Sequence, residues 1–460
     1  QIKEHLFQDI SFDEQPEIRF VQHHRAHACS SFMLSGFDSA AVVTADGHGE
    51  ADCTNIWIAD GQGIRHLQEW QLPHSLGWFY TKFTQWLGFR PHDGEGKLMG
   101  LAAYGSPNPE MFDAVAKVIW LTGDKSVYRL EPRFFLGEFS EEGPFTDEWL
   151  NLFGPPRELE SMKPFTERDK DLAYAVQQAL EAAGSALIEH ALRLTGQERV
   201  CTAGGTFMNC KMNGVLARQV GLKNYFVQPA AGDNGIALGA GLAVAGSTGK
   251  RLRHMYMGPE FDDAAIEASL LDAGVNYRRT ENVCLETATL LADSKVIGWF
   301  QGRMEAGARA LGNRSILANP LDSSMRDIVN NKVKFREQWR PFCPSTTVED
   351  GSDYFDYTGD LPFMIVACGA RPGIKEKLPS VVHTDNTVRI QTVDSLDNPR
   401  FHALISAFKD LTGYGTLLNT SFNVRGEPIV CSPSDAVDCF LKTAIDALVM
   451  GDFIAIKNKR

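Results

Sequence analysis

The chain is expected to fold as an α/β protein of two domains. Three features carry that expectation. Its 460 residues are about three times a usual domain. Short apolar runs lead into glycines and then into helical stretches, the pattern of strand–helix units with ligands at strand C-termini. A turn-like break interrupts that pattern near residue 257.

Taken in order, residues 40–44 (AAVVT) read as a buried strand running toward Asp46 and Gly47. Residues 171–194 carry apolar positions at helical spacing among good helix formers and read as a long helix. Residues 199–203 (RVCTA) form a second strand that ends in Gly204-Gly205. Met257-Gly258-Pro259, followed by Asp262 and Asp263, marks the break, which gives domains of residues 1–257 and 258–460. A new strand pattern opens at 295–300 (KVIGWF), and the apolar stretch 444–456 closes the second core. There is no internal repeat and no low-complexity segment.

The net charge of −13 argues against broad contact with nucleic acid or an anionic membrane, while leaving room for local phosphate pockets. No apolar run approaches the roughly 20 residues of a membrane span, and no signal peptide is visible. The nine cysteines are scattered and form no C-x-x-C pair, which speaks against a zinc ribbon and for reduced thiols in a cytoplasm.

The densest chemistry in the first half is HHRAHA at 23–28. On a helix, His23 and His27 face the same side, as a two-histidine metal pair does. Alone, the spacing is more often a plain capped helix. Asp46 after the first strand and Asp233 in AGDNG add two carboxylates, and the four together suit a divalent first-row metal with open positions. Gly204 and Gly205 offer bare backbone to a nucleotide, and Asn209 one turn later offers an amide to a base or ribose. Lys97 in GEGK lies within reach of a phosphate, although surface lysines are commoner.

The second half is rich in arginine for an acidic protein. Residues 303, 309 and 314 are arginines within twelve positions, and Lys334, Arg336, Arg340 and Arg389 follow. Guanidinium forks suit phosphate oxygens, and these cations alternate with Phe, Trp, Leu and Pro rather than forming a solvated run. Lys334-x-Arg336 and Ser421-x-Asn423 each set two polar groups on one face of a strand.

At these residues the chain resembles the O-carbamoyltransferase family of nodulation-factor, aminoglycoside and other natural-product enzymes. The resemblance rests on HHRAHA, TADGHGE (44–50), EGKLMGLAAYG (95–105), AGGTFMNC (203–210), GDNGIALGAG (232–241), GRMEAGARALGNRSILANP (302–320), VKFREQWRPFCPS (333–345), HTDNTVRIQTV (383–393) and NTSFNVRGEPIVCSPSDA (419–436), in the family's order. It implies an actin/sugar-kinase-like domain, akin to the tRNA threonylcarbamoyl transferase module, followed by a YrdC-like domain. It further implies that carbamoyl phosphate and ATP, with Mg²⁺, give carbamoyl-adenylate in the second domain. The first domain then passes the carbamoyl group to the hydroxyl of a small-molecule acceptor. By motif, His23, His27, Asp46 and Asp233 are the implied ligands of an Fe²⁺-type metal. Lys334, Arg336, Ser421, Asn423, Arg309 and Arg389 are the implied adenylation residues, and Gly204, Gly205 and Asn209 the implied nucleotide loop.

Two further expectations follow. The chain opens at Gln1, and the family's His/Asp-containing first segment has no visible counterpart, so the general base for the acceptor hydroxyl is expected outside it. The acceptor pocket is expected from residues 106–170, and a homodimer is the expected assembly. Two other enzyme types compete. The hydrogenase-maturation type carries an acylphosphatase unit and zinc fingers and has the reverse domain order. The tRNA-modifying type lacks the fused second domain. A non-catalytic nucleotide-binding regulator would bind ATP without turning it over.

Overall fold

The computed structural model describes residues 17–135, 144–246 and 250–457. The N-terminal stretch 1–16 lies outside them. The fold is mixed α/β, built on two main sheets.

The 40–44 run lies in β1 (Ala40–Gly49), whose first six residues are buried, as a central strand covered on both faces requires. It continues antiparallel into β2 (Asp52–Asp60) and β3 (Gly63–Gln71). A small hairpin follows, β4 (Ile119–Leu121) with β5 (Tyr128–Leu130). β6 (Val200–Ala203) then returns parallel to β1, with β7 (Tyr225–Val227) beyond it, so the first sheet runs β3-β2-β1-β6-β7.

The second sheet has the order β15-β11-β16-β10-β9-β17-β18-β8. In chain order its strands are β8 (Tyr277–Arg279), β9 (Ile297–Phe300), β10 (Arg314–Ala318), β11 (Cys343–Thr347), β15 (Gln391–Val393), β16 (Thr416–Ser421), β17 (Ala447–Met450) and β18 (Phe453–Ile456). The 295–300 and 444–456 runs are thus core strands. A third sheet joins β12 (Phe355–Asp356), β13 (Ala367–Ala370) and β14 (Thr387–Arg389). All strands of the first sheet precede the 257–259 turn, and all strands of the second follow it.

Six helices position the site: α1 (His23–Phe32), α2 (Leu76–Trp86), α3 (Glu95–Leu101), α4 (Glu167–Thr195), α5 (Cys210–Val220) and α6 (Ile236–Ala245). The long helix expected at 171–194 is α4, which starts four residues earlier. A capping box between Thr166 and Asp169 satisfies its first N–H groups. Its end is set by Gly196, in the left-handed conformation.

Helix α1 lies against the first sheet and against α6. The second contact is close enough that a Cβ at Gly239 would stand 1.9 Å from the Ala26 carbonyl oxygen. That approach explains the Ala/Gly-rich sequence of α6. The halves meet through a buried apolar seam. Trp339 stands between Phe89 and Phe165, at ring distances of 6.2 and 6.0 Å. Across the same seam Asn213 donates to the Ile365 carbonyl at 2.8 Å. Among the described residues no helix is long and apolar enough to cross a membrane.

Candidate active site

One turn of α1 separates His23 from His27, so both imidazoles reach the C-terminal end of β1. There His27 Nε2 lies 2.9 Å from Asp46 Oδ2, and His23 Nε2 lies 3.5 Å from it. The two Nε2 atoms are 3.1 Å apart. Asp233 Oδ1, from the loop before α6, is 3.6 and 3.7 Å from the same two nitrogens. One donor atom from each of the four residues falls within 4.8 Å of the others.

Burial by itself would raise the Asp46 carboxyl. Hydrogen bonds from His23 and His27 outweigh it and hold the group below the usual carboxylate range. Two imidazole nitrogens and two carboxylate oxygens converging on one point is a borderline-hard donor set suited to a divalent first-row metal.

His24, between the two, has a structural task. Its ring bonds Thr44 Oγ1 and the Asp52 carbonyl, each at 3.0 Å, and pins α1 to the sheet. Burial pushes it down to about 4, so it is neutral. The glycine pair sits over the end of β1. Gly204 has φ +103°, and a Cβ there would lie 2.1 Å from the Ala45 carbonyl oxygen, so only glycine fits. Asn209 caps α5 by accepting from Met212 N at 3.0 Å, and its amide also pairs with Gln177.

Gly205, Asn209, Asp46, Lys97 and Arg309 all line one cavity of about 510 Å³. Helix α2, the loop before α3 and α3 itself supply most of the rest, including Trp78, His92 and Asp93. Among the described residues of 106–170, from which an acceptor pocket is expected, none lines this cavity.

A second cavity of about 140 Å³ adjoins the first, sharing Gly96, Met99, Arg309 and Arg340 in its wall. Arg309, Arg336, Arg340 and Arg389 line it, with no carboxylate among its described wall residues. Burial, then its neighbour Arg389, pushes Arg309 down to about 10. Burial, then Arg340, pushes Arg336 down to about 9. An arginine keeps its proton, so the direction of these shifts reflects the cost of burying cations and, after that, of placing them side by side.

Lys334, Ser421 and Asn423 form a knot of their own. Lys334 Nζ donates to Ser421 O at 2.6 Å, Ser421 Oγ at 3.1 Å, Asn423 O at 3.0 Å and Asn423 Oδ1 at 2.6 Å. None of the three lines the 140 Å³ cavity.

The strand reading of Lys334-x-Arg336 is corrected. Lys334 ends a π-helical turn (Asn330–Lys334), and Phe335 follows in the left-handed region at φ +48°. That turn sends Lys334 to the Ser421–Asn423 knot and Arg336 to Asn330 Oδ1 at 2.7 Å. A π turn and a strained bulky residue are costly features that cluster at functional sites. Ser421 does end a strand, β16, but Asn423 lies past it.

The arginines also divide. Arg314 is fully buried and donates to the carbonyls of Gln301, Gly302, Asn313, Pro259 and Cys431. Arg303 donates to Met257 and Gly258. Both staple the turn between the halves. Sequence reasoning missed His383 and Lys211 in the second cavity, and Arg340 as a wall residue of both cavities. A histidine six residues before Arg389 in HTDNTVR was the available signal.

Comparison with known proteins now bears on this geometry. The carbamoyltransferase N-terminus family model matches residues 5–242, and the carbamoyltransferase C-terminus model matches residues 288–457. The nodulation protein NolO of Bradyrhizobium diazoefficiens is 37% identical over 95% of this chain and 79% of its own length. The 3'-hydroxymethylcephem-O-carbamoyltransferase of Amycolatopsis lactamdurans is 36% identical over 95% of this chain and 80% of its own. The nodulation protein NolNO of Sinorhizobium fredii is 37% identical over 98% of this chain, which spans 66% of that relative. Matches of this length through both halves make the chain a member of the O-carbamoyltransferase family of enzymes.

Proposed function

We propose that the chain activates carbamoyl phosphate with ATP in its second half and transfers the carbamoyl group to the hydroxyl of a small natural-product acceptor in its first. The shared wall of the two cavities carries this reading. Arg309 and Arg340 stand between a pocket lined by four arginines and a pocket that reaches Asp46. Polyphosphate chemistry needs the former, since charge develops on phosphate oxygens as pyrophosphate leaves. A carbamoyl-adenylate is a mixed anhydride that water destroys, so a short enclosed path to the acceptor is an advantage.

In this reading His23, His27, Asp46 and Asp233 hold a divalent metal of the Fe²⁺ type. When bound, it supplies Lewis-acid polarisation of the carbamoyl carbonyl or charge neutralisation on AMP. The bare backbone at Gly204 and Gly205 lets the nucleotide approach the end of β1. The Lys334–Ser421–Asn423 knot fixes the turn that aims Arg336 at the phosphates. Trp78 and His92 line the larger cavity, where the acceptor would bind.

The test separates two half-reactions. Pyrophosphate release from ATP should depend on carbamoyl phosphate. Lys334→Ala should lower it by about 100-fold or more, whereas His23→Ala should leave it intact and stop product formation. Equal loss of both steps in both variants would show that the two halves do not divide the chemistry.

A further inference from the structure

His383 is buried in the wall of the 140 Å³ cavity, at 7% exposure, and its Nε2 has no hydrogen-bond partner. Its other nitrogen, Nδ1, faces Asp385 Oδ1 at 3.6 Å. Asp385 is itself held from the opposite half by an ion pair with Lys211, and by Thr387 Oγ1 at 2.7 Å. Tyr104 packs edge-on against the imidazole at 5.5 Å and shields it from solvent. A carboxylate beside Nδ1 favours the tautomer with its proton there and a lone pair on Nε2. An oriented imidazole with a free lone pair, set among four arginines, is a base placed beside an anion site.

The activation chemistry has a place for such a base. Carbamoyl phosphate cannot become carbamoyl-adenylate directly, because the attacking species on the α-phosphorus of ATP must be carbamate. Carbamate arises when water attacks the phosphorus of carbamoyl phosphate. A bond forms between the water oxygen and phosphorus, and the bridging P–O bond breaks with its electron pair left on the carbamate oxygen. One water is consumed, and carbamate and dihydrogen phosphate result. Carbamate then displaces pyrophosphate from ATP.

We propose that His383 is the general base of a hydrolytic step that precedes adenylation. Its Nε2 takes the proton from water and returns it to the departing phosphate. Arg309, Arg336, Arg340 and Arg389 hold the phosphoryl oxygens. This inference rests on the reading of the cavity as the carbamoyl phosphate site.

The experiment uses the full chain with its metal and compares His383→Asn with wild type. Phosphate release from carbamoyl phosphate is measured without ATP, above the enzyme-free decomposition. Pyrophosphate release from ATP is measured twice, with carbamoyl phosphate and with freshly dissolved ammonium carbamate. The variant should lose phosphate release and carbamoyl phosphate-driven pyrophosphate by about 100-fold, while carbamate-driven pyrophosphate stays within about two-fold. Carbamate turnover also reports that the variant is folded. Three outcomes overturn the role: phosphate release kept by the variant, both pyrophosphate reactions lost alike, or no ATP-independent phosphate release by wild type. Failure of wild type to release pyrophosphate with either donor would instead overturn the underlying reading of the cavity.

Discussion

Glu305 is a carboxylate with no cation at hydrogen-bond distance among the described residues. Its Oε1 accepts from the backbone N–H groups of Leu311, Asn313 and Arg314 at 2.7, 2.7 and 3.2 Å. Burial raises its pKa above the ordinary value, even though those N–H groups favour the ion. It thereby shapes the loop that carries Arg309 into the cavity wall. Glu305→Ala orphans three buried donors and should cost about 3 kcal/mol in urea unfolding, with pyrophosphate release falling alongside. Glu305→Gln keeps an acceptor oxygen and should cost about 1 kcal/mol. In this stretch the sequence displays its donors and hides their acceptors. Arg303, Arg309 and Arg314 look equivalent on paper, yet two of them bind backbone carbonyls and one lines the cavity. A guanidinium serves a carbonyl as readily as a phosphate, so only the fold separates the two uses.

Helical spacing made the His23–His27 pair legible, because a period of 3.6 sets which side chains share a face whatever the helix packs against. The same argument failed at Lys334-x-Arg336, where a period of 2 was assumed and a π turn intervened. Such turns come from a local surplus residue and leave no periodic trace. His24 shows the limit from the other side: it lies within the same motif but bonds Thr44 and Asp52, which no spacing within α1 could reveal. What aims α1 is its packing on α6, and this gives a prediction for the element. A valine at Gly239 would place a Cβ against the Ala26 carbonyl oxygen, where only 1.9 Å separates them. Gly239→Val should push α1 off its seat, costing about 3 kcal/mol by overpacking. Bound Fe²⁺ per chain, measured on protein reloaded anaerobically, should fall with it. Carbamoyl phosphate-driven pyrophosphate release should survive, because α1 packs on α6 and the strands of the first sheet. Full metal loading in a folded Gly239→Val variant would show that the α1–α6 contact does not set the cluster.

At the scale of the whole chain, both halves of the site could be read in sequence but the way they face each other could not. The smaller cavity between them is walled by α3, α5, Arg309 and residues from 336–343 and 367–389, segments with large separations in sequence and no shared motif. The 106–170 stretch carries no recognisable motif, and its described residues line neither cavity, whose walls come from motif-bearing segments on either side of the seam. Packing across the seam is tight. In α5, a Cβ on Gly214 would lie 2.2 Å from the Ala367 carbonyl oxygen on β13, and next to it Asn213 ties Phe207 to Ile365. Gly214→Val must therefore shift one half against the other: Gly214 itself lines neither cavity, and its clash falls on the backbone of Ala367 in the wall of the smaller one. Each half keeps its own sheet and its own polar cluster, so adenylation should persist within about three-fold. On the proposed route, transfer requires the adenylate to cross the seam before water reaches it, and an opened seam would let it escape. The ratio of carbamoylated product to pyrophosphate should drop about ten-fold or more. An unchanged ratio in a folded Gly214→Val variant would mean that the intermediate travels through solvent, and that the adjoining walls of the two cavities have no part in its transfer.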